Sequence, residues 1–292
     1  MNGSAAVLGF IGLGVMGGPM CKNAVTKHGA PLHAFDMAPA ALEDLREAGA
    51  VAEASVQDVA RAAQVIFLSL PGGKQVQAVC AEIASVAAAG TIIVDLSTTS
   101  VAEARAISAM LAEKGILFAD APVARTRQAA QEGTLSIMVG ASEDLFARIQ
   151  PLLSYMGSDV TRCGEVGCGQ VVKVINNCLL FEHVAALAEM MVVAERAGVS
   201  RENLISAVSL GSGDSFALRN HGMKAMAPGV FPEKAFPSTY ALKDLGYAIE
   251  LAEQTGVEPR LPRLAAAYYE TAVKQGIGNK YFPAIIELIG KE

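Results

Sequence analysis

Three glycines near the amino terminus have the spacing of a phosphate-binding turn. Gly12, Gly14 and Gly17 fit the pattern G-x-G-x-x-G, and they lie between a short apolar run and a stretch that favours a helix. In this context the first glycine permits a tight turn, the second lets the backbone approach a pyrophosphate, and the third lets helix and strand pack closely. Free N–H groups at the start of a helix then face the phosphates. The segment is therefore predicted to bind a dinucleotide through Gly12, Leu13, Gly14, Val15 and Met16.

An acidic residue, Asp36, ends the second predicted strand, about 20 residues past the last glycine. A carboxylate at this place accepts hydrogen bonds from both adenine-ribose hydroxyls and repels a 2′-phosphate. No arginine follows directly, since the next residues are Met37, Ala38 and Pro39. The sequence therefore predicts NAD rather than NADP as the cofactor.

A lysine in an otherwise apolar helical stretch could move a proton. When a hydride leaves a carbinol carbon, a side chain must also accept the hydroxyl proton. No histidine is obviously placed for this, whereas Lys173 lies in the apolar stretch 170–197, with Asn177 one helical turn away on the same face. Burial lowers the pKa of a lysine toward a useful range. The alternative is that Lys173 extends to solvent at the helix start, and the residues alone leave both interpretations open.

The elements that must position these residues alternate between strands and helices in the first part of the chain. Short β-rich runs are separated by helical stretches such as 101–114. This order is typical of a parallel sheet with helices on both faces. The predicted strands are 6–11, 33–35, 65–68, 91–94, 116–119 and 135–139.

From Gly169 onward the pattern favours helices alone. The stretch 170–197 contains no glycine or proline and is apolar almost all round, so most of a helix there should be buried. Later segments also favour helices and no convincing strand follows, which predicts an α/β domain at 1–165 and an all-helical domain at 166–292. A small domain built on one long helix often needs a second subunit, so an oligomer is expected. The later helical segments are 201–209, 238–255, 262–274 and 284–289.

Composition argues against several classes of protein. The 292 residues are 52% hydrophobic and 18% charged, which is typical of a folded, core-rich chain. A net charge of −6 argues against nucleic-acid binding. No uninterrupted apolar run reaches the roughly 18 residues of a membrane span, and the start has no basic signal region, so a cytoplasmic protein without a membrane partner is predicted. The five scattered cysteines and four histidines indicate neither a disulfide framework nor a metal site.

Five motifs, in order and spacing, resemble those of the β-hydroxyacid dehydrogenases, the family of 3-hydroxyisobutyrate dehydrogenase and tartronate semialdehyde reductase. The resemblance covers nearly the whole chain and implies an α/β Rossmann domain followed by an all-α C-terminal domain, a substrate cleft between them, NAD as cofactor, and a homodimer or homotetramer. The motifs are GFIGLGVMG at 9–17, DLSTT at 95–99, DAPV at 120–123 with GTL at 133–135, GCGQVVKVINN at 167–177, and KDL at 243–245.

The resemblance also implies a reaction and a set of site residues. The reaction interconverts a small 3-hydroxy acid, or a related anionic hydroxy compound, and its semialdehyde, with Lys173 as general acid and base and Asn177 beside it. The matching positions for the cofactor are Leu70 and Pro71 on the adenosine side, Thr98 near the nicotinamide, and Lys243 at its ribose or at the substrate. The matching positions for the substrate are Val123, Ala124, Arg125, Thr126, Asn176 and Lys243.

The substrate loop departs from the family pattern. Ala124, Arg125 and Thr126 stand where the family usually has Ser-Gly-Gly, small residues that bind the substrate carboxylate through backbone N–H groups and a hydroxyl. The guanidinium of Arg125 offers an alternative fork for an oxyanion, and a related loop occurs in the sulfolactaldehyde reductase branch, which binds a sulfonate. In a second interpretation Arg125 turns outward and pairs with a surface acid for little energy. From another class, a non-catalytic dinucleotide-binding sensor also remains open.

Overall fold

The computed structural model describes residues 6–233 and 235–290, which form two compact units divided between Lys173 and Val174. The helix Cys168–Arg196 begins in the first unit and continues through the division. The boundary predicted from sequence, at 165, falls just before this helix.

A nine-stranded sheet forms the centre of the first unit. Its order is β3-β2-β1-β4-β5-β6-β8-β7, with β9 paired to β8, and the strands from β3 to β6 in this order are all parallel. The strands are β1 (Leu8–Ile11), β2 (Leu32–Phe35), β3 (Val51–Ala52), β4 (Val65–Leu68), β5 (Ile92–Asp95), β6 (Leu117–Asp120), β7 (Val123–Ala124), β8 (Leu135–Gly140) and β9 (Gly157–Gly164).

Helices cover both faces of this sheet, as the alternating pattern predicted. Because successive strand residues point to opposite faces, Phe10 enters one hydrophobic core and the adjacent Ile11 enters the other. The central strands are buried on both faces and so read as continuous apolar runs. The helices of this unit are α1 (Gly17–His28), α2 (Glu43–Glu47), α3 (Val56–Ala62), α4 (Gly73–Ala84), α5 (Val101–Ala112), α6 (Arg127–Glu132) and α7 (Glu143–Leu153), with a 3₁₀ turn at Pro39–Leu42 before α2.

The last part of the sheet contains antiparallel pairings that the sequence pattern did not predict. Strand β8 runs antiparallel to both β6 and β7 and parallel to β9. Strands β3, β7 and β9 were not predicted. Two-residue strands carry no periodic pattern, and β9 is a polar strand with exposed and half-buried side chains, so neither kind produces the apolar run by which the others were recognised.

The described regular elements of the second unit are helices, as predicted, and one isolated bridge pairs Pro237 with Tyr281. Its core surrounds Phe181, whose ring packs edge-on against the rings of Tyr269 and Phe282. The helices are α8 (Cys168–Arg196), α9 (Arg201–Val208), a π-helix at Ala217–Met226, α10 (Ser238–Gln254), α11 (Arg260–Lys274) and a 3₁₀ segment at Phe282–Leu288.

Helix α8 is less buried than its composition predicted. Ile175, Leu179, Met190 and Val193 are 48% to 55% exposed, so an apolar face of the helix is in contact with solvent in this chain. By length and composition alone, α8 is the described helix that would be long and apolar enough to cross a membrane, a test that core helices of soluble proteins also pass.

Candidate active site

The turn between β1 and α1 has the shape that a pyrophosphate needs. Gly12 adopts a φ of +92°, and a Cβ there would lie 2.3 Å from the carbonyl oxygen of Ser69. A Cβ on Gly17 would lie 2.0 Å from the carbonyl oxygen of Gly12. A Cβ on Gly14, by contrast, would meet no atom within 4 Å. The backbone of Gly14 therefore faces open space, which a phosphate can enter.

The amides of this turn are available to a ligand. In the part of the chain that the structure describes, the N–H groups of Gly14, Val15 and Met16 donate to no protein acceptor. They stand at the start of α1, where the helix carries its positive partial charge. An anionic pyrophosphate would satisfy both needs, so the loop fits the predicted dinucleotide.

Asp36 follows β2 and closes the side of this turn. Its Oδ2 accepts a hydrogen bond of 2.6 Å from the N–H of Leu13, and its Oδ1 accepts one of 2.8 Å from the N–H of Ala38. The side chain is half-buried. Each carboxylate oxygen has a second acceptor site, so Asp36 can still receive ribose hydroxyls while it holds the turn.

The predicted cofactor residues Leu70, Pro71 and Thr98 lie just beyond the carboxyl ends of β4 and β5. There the N–H of Leu70 donates a 2.9 Å hydrogen bond to Oγ of Ser97, which ties the two loops together. Strand β1 has β2 on one side and β4 on the other, so the order in which the strands are added to the sheet reverses at β1. Open α/β sheets bind their ligands outside the carboxyl ends of the strands at such a reversal.

Lys173 lies in the second turn of α8 and is only 8% exposed. Its Nζ donates a 2.8 Å hydrogen bond to the carbonyl oxygen of Val123 in β7, which is one of the predicted substrate residues. The structure thus buries the amine against the DAPV motif and does not extend it to solvent. The proton-transfer role of Lys173 is a prediction that this placement is compatible with.

The loop after Val123 uses its polar side chains within the protein. Thr126 caps α6, because its Oγ1 accepts a hydrogen bond from the N–H of Ala129. Ala124 is half-buried in β7 and offers no polar side-chain atom. A hydroxyl contact from Thr126 to a substrate would have to use its remaining donor.

Arg125 pairs with a surface acid in this structure. Its Nη2 lies 2.8 Å from Oδ2 of Asp159, and its Nη1 donates to Oγ of Ser158 and to the carbonyl oxygen of Thr134. Hydrogen bonds from Ser158 and Arg125 hold the pKa of Asp159 below its ordinary value. This is the outward arrangement weighed above, and contact between Arg125 and a substrate stays a prediction. Arg125 also has a φ of +88°, at a position where the family usually has glycine.

The remaining predicted residues form a second cluster, in the second unit. Asn177 donates from Nδ2 to Oδ2 of Asp244 at 2.7 Å and accepts from Nδ2 of Asn176 at 3.1 Å. The Nζ of Lys243 lies 3.3 Å from Oδ1 of Asp244 and within 6 Å of two tyrosine rings. The structure thus brings Asn176, Asn177 and Lys243 together around one buried carboxylate.

Four further buried polar residues, which were not among the predicted site residues, lie in the motifs that form these clusters. Burial raises the pKa of Asp95 to about 7 and that of Asp120 to about 6. Gln170 is fully buried, and Asp244 is 2% exposed. All four lie within motifs that were recognised as DLSTT, DAPV, GCGQ and KDL, so a signal was present.

Two family models match the chain. The model described as the NAD binding domain of 6-phosphogluconate dehydrogenase matches residues 7–164. The model described as NAD-binding of NADP-dependent 3-hydroxyisobutyrate dehydrogenase matches residues 167–289. Together they cover nearly all of the described residues and support a nicotinamide dinucleotide as the cofactor.

Similar proteins align over nearly the full length. The 2-(hydroxymethyl)glutarate dehydrogenase of Eubacterium barkeri is 37% identical over 284 residues, which is 96% of this chain and 94% of the relative. Human mitochondrial 3-hydroxyisobutyrate dehydrogenase is 34% identical over 99% of this chain and 88% of its own length. The structure of Mycobacterium tuberculosis 3-hydroxyisobutyrate dehydrogenase with L-serine superposes with a TM-score of 0.90 at 30% identity, over 99% of this chain and 100% of the other.

Proposed function

The chain belongs to the β-hydroxyacid dehydrogenase family, and from this we propose that it interconverts a 3-hydroxy acid substituted at carbon 2 and the corresponding semialdehyde, with NAD as hydride carrier. Membership makes it an oxidoreductase that acts on CH–OH groups with a nicotinamide dinucleotide. The single observation that carries the finer proposal is the burial of Lys173 against Val123 of the DAPV motif.

The substrate class follows from what the names of the relatives have in common. 3-Hydroxyisobutyrate, L-serine and 2-(hydroxymethyl)glutarate all contain HO–CH₂–CH(R)–COO⁻, where R is a methyl, an ammonium or a carboxyethyl group. The hydroxymethyl carbon is the one that becomes an aldehyde. We therefore expect the protein to recognise this shared unit and to select among the R groups through residues around it.

Lys173 would handle the proton. NAD supplies the hydride acceptor when it is bound. In the oxidation, the carbinol C–H bond breaks with its electron pair, and the neutral amine of Lys173 takes the hydroxyl proton as the C=O bond forms. In the reduction, the ammonium returns that proton to the new hydroxyl. A buried amine suits this exchange because desolvation disfavours its charged form.

The preference for NAD over NADP rests on Asp36. Its carboxylate is held in place by the N–H groups of Leu13 and Ala38, so it cannot move far from the adenine-ribose side of the turn. A 2′-phosphate brought there would meet a fixed negative charge. We expect a lower Michaelis constant for NAD than for NADP.

A second copy of the chain is the expected partner. The exposed apolar residues Ile175, Leu179, Met190 and Val193 recur along one helix at spacings that place them on a common side. Covering such a face removes apolar surface from water, which favours a homodimer or homotetramer. A monomeric mass by light scattering at micromolar concentration would refute this part.

The test is a substrate panel with the purified chain. NADH formation is followed with 3-hydroxyisobutyrate, L-serine, 2-(hydroxymethyl)glutarate, glycerate, 4-hydroxybutyrate and dihydroxypropanesulfonate, each with NAD and with NADP. Lys173→Ala should lower turnover about 10²-fold or more and leave NAD affinity intact. Lys114→Ala, at an exposed helix end, is the matched control and should match the parent enzyme.

Each outcome has a defined meaning. Turnover confined to compounds with the shared carboxylate unit supports the proposal. Turnover confined to the sulfonate would replace it with the sulfonate-specific alternative, in which Arg125 leaves Asp159. No absorbance change with any compound would favour a non-catalytic dinucleotide sensor. Near-parental turnover in Lys173→Ala would remove the lysine from the mechanism.

A further inference from the structure

The first turn of α8 is held by a carboxylate from a different element. Asp120, the last residue of β6, accepts hydrogen bonds from the N–H of Gly167 at 2.7 Å and from the N–H of Gln170 at 2.8 Å. The first amides of a helix have no partner within the helix, and a local side chain normally caps them. Here the cap comes from 47 residues away in the sequence. The start of α8 is thereby fixed to the end of β6.

Two glycines leave the room that this carboxylate occupies. A Cβ on Gly140 would lie 2.3 Å from Oδ1 of Asp120, and a Cβ on Gly169 would lie 2.8 Å from its Oδ2. The same Cβ on Gly169 would also meet the carbonyl oxygen of Met138 at 2.4 Å. The backbone at the start of α8, the carboxylate of Asp120 and the backbone of strand β8 therefore pack so closely that no side-chain carbon fits between them. An arrangement this close permits little displacement of the helix start.

The side chain of Gln170 adds a second attachment. Its Nε2 donates to the carbonyl oxygen of Ser97 at 2.8 Å, and its Oε1 accepts from the N–H of Thr99 at 3.2 Å. These two bonds bracket Thr98, the residue predicted to lie near the nicotinamide. Ser97 in turn receives the N–H of Leu70 through its hydroxyl. The loops after β4 and β5 are thus connected to α8 through one buried amide.

Lys173 lies one turn beyond Gln170, at i+3 on the same helix side. A lysine side chain has four rotatable bonds, so its amine is placed only as well as its backbone and its final hydrogen bond are placed. The bond from Nζ to Val123 fixes the far end. The contacts of Asp120 and Gln170 fix the near end.

We propose that Asp120 and Gln170 are positioning residues, which set the place of the Lys173 amine relative to the cofactor-side loop Ser97–Thr99. This inference rests on the proposed function, because it takes Lys173 as the proton-transfer group. Neither residue needs to touch substrate. A displacement of about 1 Å in a reacting group can cost about 10²-fold in rate, so loosening this attachment should be visible in turnover.

The test uses Gln170→Met and Asp120→Asn in the full chain with NAD. Gln170→Met keeps length and helix propensity but removes both side-chain bonds, and Asp120→Asn keeps shape but replaces one acceptor oxygen by a donor. Each should lower kcat about 10- to 100-fold, with the NAD dissociation constant near that of the parent. The pH profile of kcat/KM should also shift, since a displaced amine exchanges its proton in altered surroundings.

The matched control is Ser142→Ala. Ser142 caps α7 through the N–H of Leu145, so its loss removes the same kind of interaction elsewhere in the same unit. It should lower the thermal midpoint without moving the pH profile. If Asp120→Asn does not fold, Gln170→Met tests the proposal alone. It replaces one neutral side chain by another, so it removes no buried charge.

Combination with Lys173→Ala separates the two proposals. If Lys173 is the proton-transfer group and the others position it, adding Gln170→Met to Lys173→Ala should cost little further turnover. An additional loss equal to that of the single variant would overturn the positioning role, as would parental turnover and pH profile in Gln170→Met. If Lys173→Ala itself keeps near-parental turnover, the proposed function fails at the lysine before the positioning residues are tested.

Discussion

The side-chain amide of Asn177 donates a 2.7 Å hydrogen bond to the buried carboxylate of Asp244, across 67 residues of sequence. Both side chains are more than nine-tenths buried, and Lys243 provides the nearby positive charge at 3.3 Å. A buried carboxylate is tolerated when donors surround it, so each of these residues depends on the others. This cluster stabilises the pairing of α8 with α10.

Asp244→Ala should therefore destabilise the protein by roughly 1–3 kcal/mol, because it leaves the amide of Asn177 without its acceptor. Asn177→Ala removes the donor from the same bond. The double variant should be less destabilised than the two single variants together predict, by about 0.5 kcal/mol or more. Urea unfolding of the four proteins measures this coupling. Strict additivity would mean that the hydrogen bond contributes nothing to stability.

Substitutions in the glycine turn should separate its contribution to stability from its contribution to cofactor binding. Gly17→Ala places a Cβ 2.0 Å from the carbonyl oxygen of Gly12 and should lower the thermal midpoint, because backbone must shift. Gly14→Ala places its Cβ in open space and should leave the midpoint almost unchanged. It should nevertheless raise the dissociation constant for NAD, since the methyl group enters the space proposed for the pyrophosphate. Calorimetry and cofactor titration measure the two effects, and unchanged NAD affinity in Gly14→Ala would place the pyrophosphate elsewhere.

Asp95 predicts a dependence of stability on pH. Burial raises its pKa from 3.8 to about 7, so folding favours the protonated carboxyl. The corresponding stability is fully present below about pH 4 and is lost as the pH rises through about 7. Oδ1 of Asp95 accepts from the N–H of Ser97, and Oδ2 has no partner among the described residues.

Asp95→Asn should flatten this dependence, because the neutral amide keeps an acceptor for Ser97 and cannot ionise. Each unit of pKa difference corresponds to about 1.4 kcal/mol. The free energy of unfolding of the variant, relative to that of the parent protein, should therefore rise between pH 5 and pH 8. Urea unfolding at both values measures the gain. Asp44→Asn, at an exposed position of α2, is the control. Parallel pH curves for parent and Asp95→Asn would contradict the raised pKa.

At Arg125 an unfavourable backbone conformation opposes a favourable side-chain ion pair. Its φ of +88° is a left-handed conformation that costs a residue with a Cβ about 1–2 kcal/mol, whereas its exposed pair with Asp159 returns about 0–1 kcal/mol. Arg125→Gly should therefore be as stable as the parent or more so, and Arg125→Ala should be less stable than Arg125→Gly.

The same two variants decide the role of Arg125 toward a substrate. A direct contact predicts a Michaelis constant for the anionic substrate raised about tenfold or more in both variants, with little change for NAD. Surface pairing alone predicts that only stability changes. An Arg125→Gly protein less stable than Arg125→Ala would show that the backbone at this position is not strained.

Several features of the site could be predicted from sequence because their chemistry is local. Gly12 needs a positive φ and Gly17 lies against the carbonyl of Gly12, so these two requirements are set within the turn, and Asp36 follows from its place after β2. The helix that carries Lys173 was recognisable from composition, and its limits were predicted to within two residues. The short strands β3 and β7 and the polar strand β9 were missed, since their positions are set by pairing with neighbours and not by their own pattern.

By itself, the sequence determined the type of fold, the dinucleotide turn and the family of the chain, because local backbone requirements and motif order are written in consecutive residues. Only the tertiary structure decided which groups the polar side chains meet. Asp120 caps a helix that starts 48 residues later, Gln170 reaches back to Ser97 and Thr99, and Arg125 turns to Asp159. Such partners depend on how separate strands and helices pack, and a hydrogen bond at 3 Å leaves no trace in the local pattern of either residue that makes it.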